Sequence, residues 1–169
     1  GEAASLAAAL PGVTESCVVC FGDVLVRRYI LDQLAEAEGD VVLVVDGREE
    51  MRAGGIDPVR CARPMASPWL DDGAVEVLAA GGAAAADSAG RWIGLAKFSQ
   101  AGRDALAAEL DGMRAEGALD SADLLDVVER MRARGVAVGA IYIDGHWLDV
   151  NSVPDVVSAN RFLSSGASS

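Results

Sequence analysis

Short apolar runs alternate along this chain with longer stretches whose apolar positions fall three and four apart. Ser16–Phe21, Val41–Val45, Val75–Ala79 and Val138–Ile143 are too short for independent helices and rich in β-branched residues, so each predicts a strand. Val59–Ala62 and the apolar segment Arg91–Ser99 read the same way. Ser16–Phe21 has the character of a strand buried on both faces, as in a parallel sheet. The helical period predicts helices from about Val24 to Ala37 (Leu25, Ile30, Leu31, Leu34), from Ser99 to about Met113 (Leu106, Leu110) and from about Ala122 to Arg134 (Leu124, Leu125, Val128, Met131). Residues 2–10 are strong helix formers ended by Pro11-Gly12, and a last helix runs from about Pro154 to Leu163. Ser121-Ala-Asp123 offers capping chemistry, Arg130, Arg132 and Arg134 suit a helix C-terminus, and Gly135 closes it. Residues 47–57, Pro64–Asp72 and the Ala/Gly-rich Gly81–Gly90 read as loops, the last one flexible. Strands alternating with helices predict a layered α/β domain with a largely parallel, open sheet.

Composition narrows the class. A chain of 169 residues, 51% of them hydrophobic, is long enough to bury one real core and is not a disordered composition. A net charge of −12 argues against non-specific nucleic-acid binding, but not against a nucleotide substrate, because a metal ion dominates the field inside a site. No apolar run reaches the length of a membrane span and no secretory leader is evident, so a cytoplasmic protein is expected. Cys17, Cys20 and Cys61 are too few for a disulfide framework, and Cys17-Val-Val-Cys20 sits inside an apolar run, which favours strand thiols over a redox pair. A second cysteine pair that would complete a zinc site is absent.

The candidate chemistry gathers where the strand Val138–Ile143 runs into a polar turn. Asp144, His146, Asp149 and Asn151 follow within eight residues. Asp149 and Asn151, two apart, project to one side of an extended segment and offer magnesium two hard oxygen donors. A third is Asp23, in the Gly22-Asp23 turn after Ser16–Phe21, at the strand edge where open α/β sheets bind ligands. The competing reading makes Asp149 and Asn151 caps of the helix near Val153-Pro154, and Asp23 the cap of the helix from Val24. Asp46 is a second aspartate at a strand end, where turn aspartates are also common. Lys97, within an apolar segment, needs a partner, a ligand or an exit to solvent.

Taken together, Gly1–Leu6, Phe21–Leu31, Val44–Asp46, Gly90–Ser99, Asp123–Leu125 and Gly145–Asn151 resemble the nucleotidyltransferase domain that activates phosphonates or phosphocholine-like compounds with CTP. They are most similar to the cytidylyltransferase-type domains often fused to phosphoenolpyruvate mutase in phosphonate biosynthesis. The resemblance implies a Rossmann-like nucleotidyltransferase fold, with a mostly parallel mixed sheet flanked by helices. It also implies Mg2+ as cofactor, with CTP and a small phosphonate as ligands and a phosphoenolpyruvate mutase domain as a possible partner. An oxygen of the acceptor attacks the α-phosphorus of CTP and pyrophosphate leaves. By this likeness Asp23 matches the metal-binding aspartate of a Gly-Asp motif, Asn151 a second metal ligand, and Asp149 the acidic residue two before it. Lys97 matches a lysine expected to contact the substrate phosphonate, and Ser5 would lie near the acceptor. Trp92 and Trp147 would shape the pocket. His146 is expected to serve the turn rather than act as a base, since a phosphonate oxygen is already ionised. The family opens on a strand and a Gly-rich, basic nucleotide loop. No such loop precedes Gly1, and Gly81-Gly82 lacks a Lys or Arg at phosphate-loop spacing. The expectation is therefore a partial domain over residues 1–164 with a flexible tail at 165–169, lacking the nucleotide-binding part and exposing a sheet edge. Two alternatives stand beside this one: a sugar-1-phosphate nucleotidyltransferase, and a degenerate, non-catalytic module.

Overall fold

The structure, a computed structural model, describes residues 1–52, 56–67 and 73–165. In chain order the elements are α1 (Glu2–Ala9), β1 (Cys17–Cys20), β2 (Val24–Val26), α2 (Arg28–Glu36), β3 (Val41–Asp46), α3 (Glu49–Arg52), β4 (Pro58–Cys61), β5 (Val75–Ala80), β6 (Gly90–Phe98), α4 (Gln100–Ala115), α5 (Leu124–Ala133), β7 (Val138–Ile143), β8 (Trp147–Asp149) and α6 (Val153–Ser165). Six strands form one sheet in the order β1-β6-β3-β7-β5-β4, and β2 pairs with β8 in a separate two-stranded ribbon.

The sheet is mixed. β1, β3, β4 and β7 run one way and β5 and β6 the other, so among the described residues β3–β7 is the one directly parallel pair. β3 is buried along its whole length, and its side chains divide by the strand period of two. Val41, Leu43 and Val45 enter the core under α1, α4 and α5, whereas Val42 and Val44 face α2 through Ile30 and Leu34. Strand β6 turns at Gly94, where φ is +81° and a Cβ would strike the Phe21 ring at 2.8 Å. Beyond that bend the register against β3 shifts, and the start of β6 reaches β4 as well.

Local signals account for the helix starts. Ser99 Oγ accepts from Gly102 N at 3.1 Å and donates to Asp40 Oδ1 at 2.6 Å, which opens α4. Asp123 and Asp126 form a reciprocal capping box at the head of α5. At the other end of α5 the arginines are not spent on the helix dipole. Arg130 and Arg134 grip the buried Glu109 of α4 at 2.6 and 3.2 Å, and Arg132 pairs with Glu129.

Several expectations are corrected. The helix expected from Val24 begins only at Arg28, because Val24, Leu25 and Val26 pair with Trp147–Asp149 as β2. Asp23 therefore caps no helix. β1 is an edge strand with Val18 47% exposed, not one buried on both faces. Gly81–Ala84 is a 3-10 turn whose Ala84 is buried, not a flexible loop throughout. Within the stretch 47–57, Glu49–Arg52 is helical. Residues 68–72 of the expected irregular stretch, and 166–169 of the expected tail, lie outside the described residues.

Candidate functional site

Three chain segments converge at the edge of the sheet where β1, β3 and β7 end. Asp23 follows β1 by three residues, is exposed, and its side chain makes no hydrogen bond or ion pair among the described residues. Its backbone carbonyl accepts from Val150 N at 2.8 Å, which sets Asp23 beside Val150 and thus next in line to Asn151. The ribbon continues this pairing, with Val24 opposite Asp149 and Val26 opposite Trp147. Residues more than 120 positions apart in sequence are thereby brought to one place, with Asp23 opposite Val150 and one register position out of step with Asp149.

The caps of α6 come from elsewhere. Asp155 Oδ2 accepts from Ser152 Oγ at 2.7 Å and from Asn151 N at 3.1 Å. The Asp149 and Asn151 carboxylate and amide groups are not the caps, so the competing reading of these two residues does not hold. Asp149 is nonetheless committed: Arg91 Nη2 donates to its Oδ2 at 2.7 Å. Among the described residues the side chains of Asp23, Asn151 and the exposed Asp144 at the end of β7 make no hydrogen bond or ion pair.

Behind the ribbon sits a buried carboxylate. Asp46, at the end of β3, has no solvent exposure. It accepts from Arg48 N, Nε and Nη2 and, at 2.7 Å, from Trp147 Nε1. Burial on its own pushes this carboxyl up, but the hydrogen bonds from Arg48 and Trp147 outweigh it and hold the group below its ordinary range. The Arg91 guanidinium lies over the Trp147 ring, 5.0 Å from its centroid, and within 3.8 Å of Asp57. Asp57 has a left-handed φ of 45°, and burial raises its pKa against the pull of Arg91. Sequence reasoning noted Asp46 as suggestive and passed over Arg48 and Arg91. No spacing rule joins positions 46, 91, 147 and 149.

Other expected site residues lie elsewhere. Lys97 pairs with Val18 and Val42, toward the opposite end of the sheet, and its Nζ donates to the carbonyls of Ala35 and Ala37. It caps the C-terminus of α2, as a cation at a helix end does, and the substrate-contact role is corrected to a structural one. Lys97→Ala is expected to cost about 1 kcal/mol in a denaturant melt. Trp92 is core: it is buried, its Nε1 donates to Leu95 O at 2.9 Å, and its ring meets Phe21 edge to face. Ser5 is on the exposed side of α1 and donates to Gly1 O, one turn back. His146 holds the turn before β8 with φ 60°, and its Nδ1 shares a 2.8 Å hydrogen bond with the Tyr29 hydroxyl. Trp147, half-buried, remains at the edge. Cys17 and Cys20 lie along β1 as free thiols, and burial raises the pKa of both.

The donor set can be tested against Mg2+. Among the described residues no three acidic, histidine or cysteine side chains form a closed metal cluster. Asp23 and Asn151 supply hard oxygens on an exposed edge, which suits an ion that keeps waters and takes further ligands from substrate phosphates. The residue types are ones Mg2+ takes, and they do not form an all-protein cage among the described residues.

No protein-family model matches the chain, and no curated protein matches its sequence. Solved structures do match. The inositol-1-phosphate CTP transferase from T. maritima overlays with a TM-score of 0.70 at 16% identity, covering 97% of this chain and 61% of that one. The chain shares the fold of that transferase. A putative glucose-1-phosphate thymidylyltransferase from Bacillus anthracis overlays at 0.65 with 12% identity, over 95% of this chain and 60% of that one. The UTP-bound UGPase from Acinetobacter baumannii gives 0.65 at 17% identity, over 97% and 55%. The present chain thus spans a little over half the length of these chains. No helix among the described residues is long and apolar enough to cross a membrane.

Proposed function

We propose that this chain carries the metal- and acceptor-binding part of a nucleotidyltransferase that transfers a cytidylyl group from CTP to a small phosphonate or phosphate, with release of pyrophosphate. The observation that carries the reading is the uncommitted Asp23 carboxylate, tied by its own backbone to the strand that delivers Asn151, on a nucleotidyltransferase fold. Bound Mg2+ would neutralise the negative charge that gathers on the phosphates during transfer. The protein residues have a positioning task. Asp23 and Asn151 would hold the ion's protein side, while Arg91 stays on Asp149 and keeps that carboxylate from repelling the phosphates at full charge. No general base is needed for an ionised acceptor oxygen, which agrees with His146 being occupied by Tyr29.

A second reading, sugar-1-phosphate nucleotidyl transfer, is supported by the thymidylyltransferase and UDP-glucose pyrophosphorylase likenesses. One assay separates them: magnesium-dependent pyrophosphate release from CTP, UTP and dTTP against a panel of small phosphonates and sugar 1-phosphates. It is run on this chain and on a version extended upstream. Turnover with CTP and a phosphonate supports the first reading, and turnover with UTP or dTTP and a sugar phosphate replaces it. Silence in every arm, with no CTP binding by calorimetry, leaves the non-catalytic module.

A further inference from the structure

The β2/β8 ribbon has three residues in each strand, and a two-stranded ribbon of that size does not hold its own shape in water. Its position has to come from anchors. At its base, Arg27 N donates to His146 O at 3.1 Å and Tyr29 meets the His146 ring. Both of those contacts join the ribbon to the start of α2, not to the sheet. To the sheet it is held by Arg91 of β6 on Asp149, by packing of Val26 and Trp147 on the α2 side and, at the end of the most buried strand, by Trp147 Nε1 on Asp46.

Asp46 is an expensive choice for that place. A fully buried carboxylate costs stability unless its lone pairs are filled, and an apolar side chain of similar volume would be cheaper. Here every bond it makes is directional: a fork from Arg48 on one side and the indole N–H on the other. Arg48 is itself wedged under the turn into β8, where a Cβ on Gly145 would lie 3.3 Å from its guanidinium carbon. The Trp147 ring then carries Arg91, which holds Asp149 two residues further along β8. Asn151 is the next residue in that alternation.

We propose that Asp46 is a positioning residue: with Arg48 and Trp147 it latches the β2/β8 ribbon to the end of β3 and so fixes the segment that carries Asp149 and Asn151. Its consequence for metal binding rests on the nucleotidyl-transfer reading; the latch itself does not. Two variants test it. Trp147→Phe keeps the ring under Arg91 and removes only the indole N–H, and Asp46→Asn keeps an acceptor oxygen but not the charge. The first readout is amide exchange of Val150 and Arg27, whose hydrogen bonds close the two ends of the ribbon, with Leu43 of β3 as internal control. The second is paramagnetic broadening of the Val24 and Val150 amides by Mn2+, alone and with CTP.

Trp147→Phe is expected to speed exchange at Val150 and Arg27 about tenfold with Leu43 unchanged, and to weaken Mn2+ binding by 10- to 100-fold, the usual size for residues that orient metal ligands. Asp46→Asn is expected to fall between it and the wild type. Wild-type exchange at Val150 and Arg27 in a folded Trp147→Phe variant would overturn the latch, as would Mn2+ binding equal to a binding-competent wild type. If the wild type itself binds no Mn2+ while exchange changes as expected, the latch stands and the nucleotidyl-transfer reading falls.

Discussion

Asp23→Asn is expected to lower magnesium-dependent turnover of the complete protein more than about 100-fold, while its melting temperature stays within about 2 °C of wild type. The two halves of this result have separate causes. The substitution removes a formal charge at the point proposed for the metal and keeps the side-chain volume. It removes nothing from the folded structure: the Asp23 carboxylate is exposed and unpartnered among the described residues, and the bond from Val150 is made by the Asp23 backbone, which any residue supplies. No helix cap is lost either, because the chain enters β2 directly after Asp23. Pyrophosphate release and a thermal melt on the same preparation check both. Full activity would remove Asp23 from the metal role, and a drop of many degrees would show that the carboxylate supports the fold.

Gly102→Ala is expected to destabilise the protein by roughly 3 kcal/mol, the upper part of the range for overpacking, a fall of about 6–12 °C in melting temperature. Local rules point the other way. Gly102 lies in the first turn of the sixteen-residue α4, and Gly→Ala within a helix ordinarily gains about 0.5–1 kcal/mol. The tertiary contact reverses the sign. A Cβ at Gly102 would land on the Asp40 carbonyl oxygen, with the Asp40 carbonyl carbon at 2.7 Å. Neither backbone can retreat cheaply. Ser99 N donates to that same carbonyl at 2.8 Å, and Ser99 Oγ is bonded to both the Asp40 side chain and Gly102 N. Paired urea melts decide it, and a neutral or stabilised variant would refute the close packing of α4 on the turn before β3.

How much of this was legible in the chain depends on the range of the interaction that decides each feature. Val41–Asp46 was readable from five consecutive apolar strand formers, and Val138–Ile143 from Ile141-Tyr142-Ile143 at its end. The caps at Ser99 and Asp123 were readable because a cap is settled within three residues. The Val24–Val26 segment was misread as helix because its partner, Trp147–Asp149, lies more than 120 residues on, and strand pairing overrode a helical pattern that begins in earnest only at Arg28. The same range explains Lys97. A lysine in an apolar strand calls for a partner, but nothing local says that the partner is the C-terminal end of α2 and not a substrate.

By itself the sequence determined the α/β class, most of the helices and strands, and the residue types that can bind a hard cation, since all of these follow from periodicity, capping and side-chain chemistry over a few neighbours. It also placed Asp23 at a strand end and Asn151 two residues beyond Asp149. Only the tertiary structure decided that β6 runs against β1 and β3, that Arg91 takes up Asp149, and that Asp46 is buried under Trp147. Those outcomes depend on which surfaces the folded layers bring within 3 Å of each other, and distance along the chain carries no information about that.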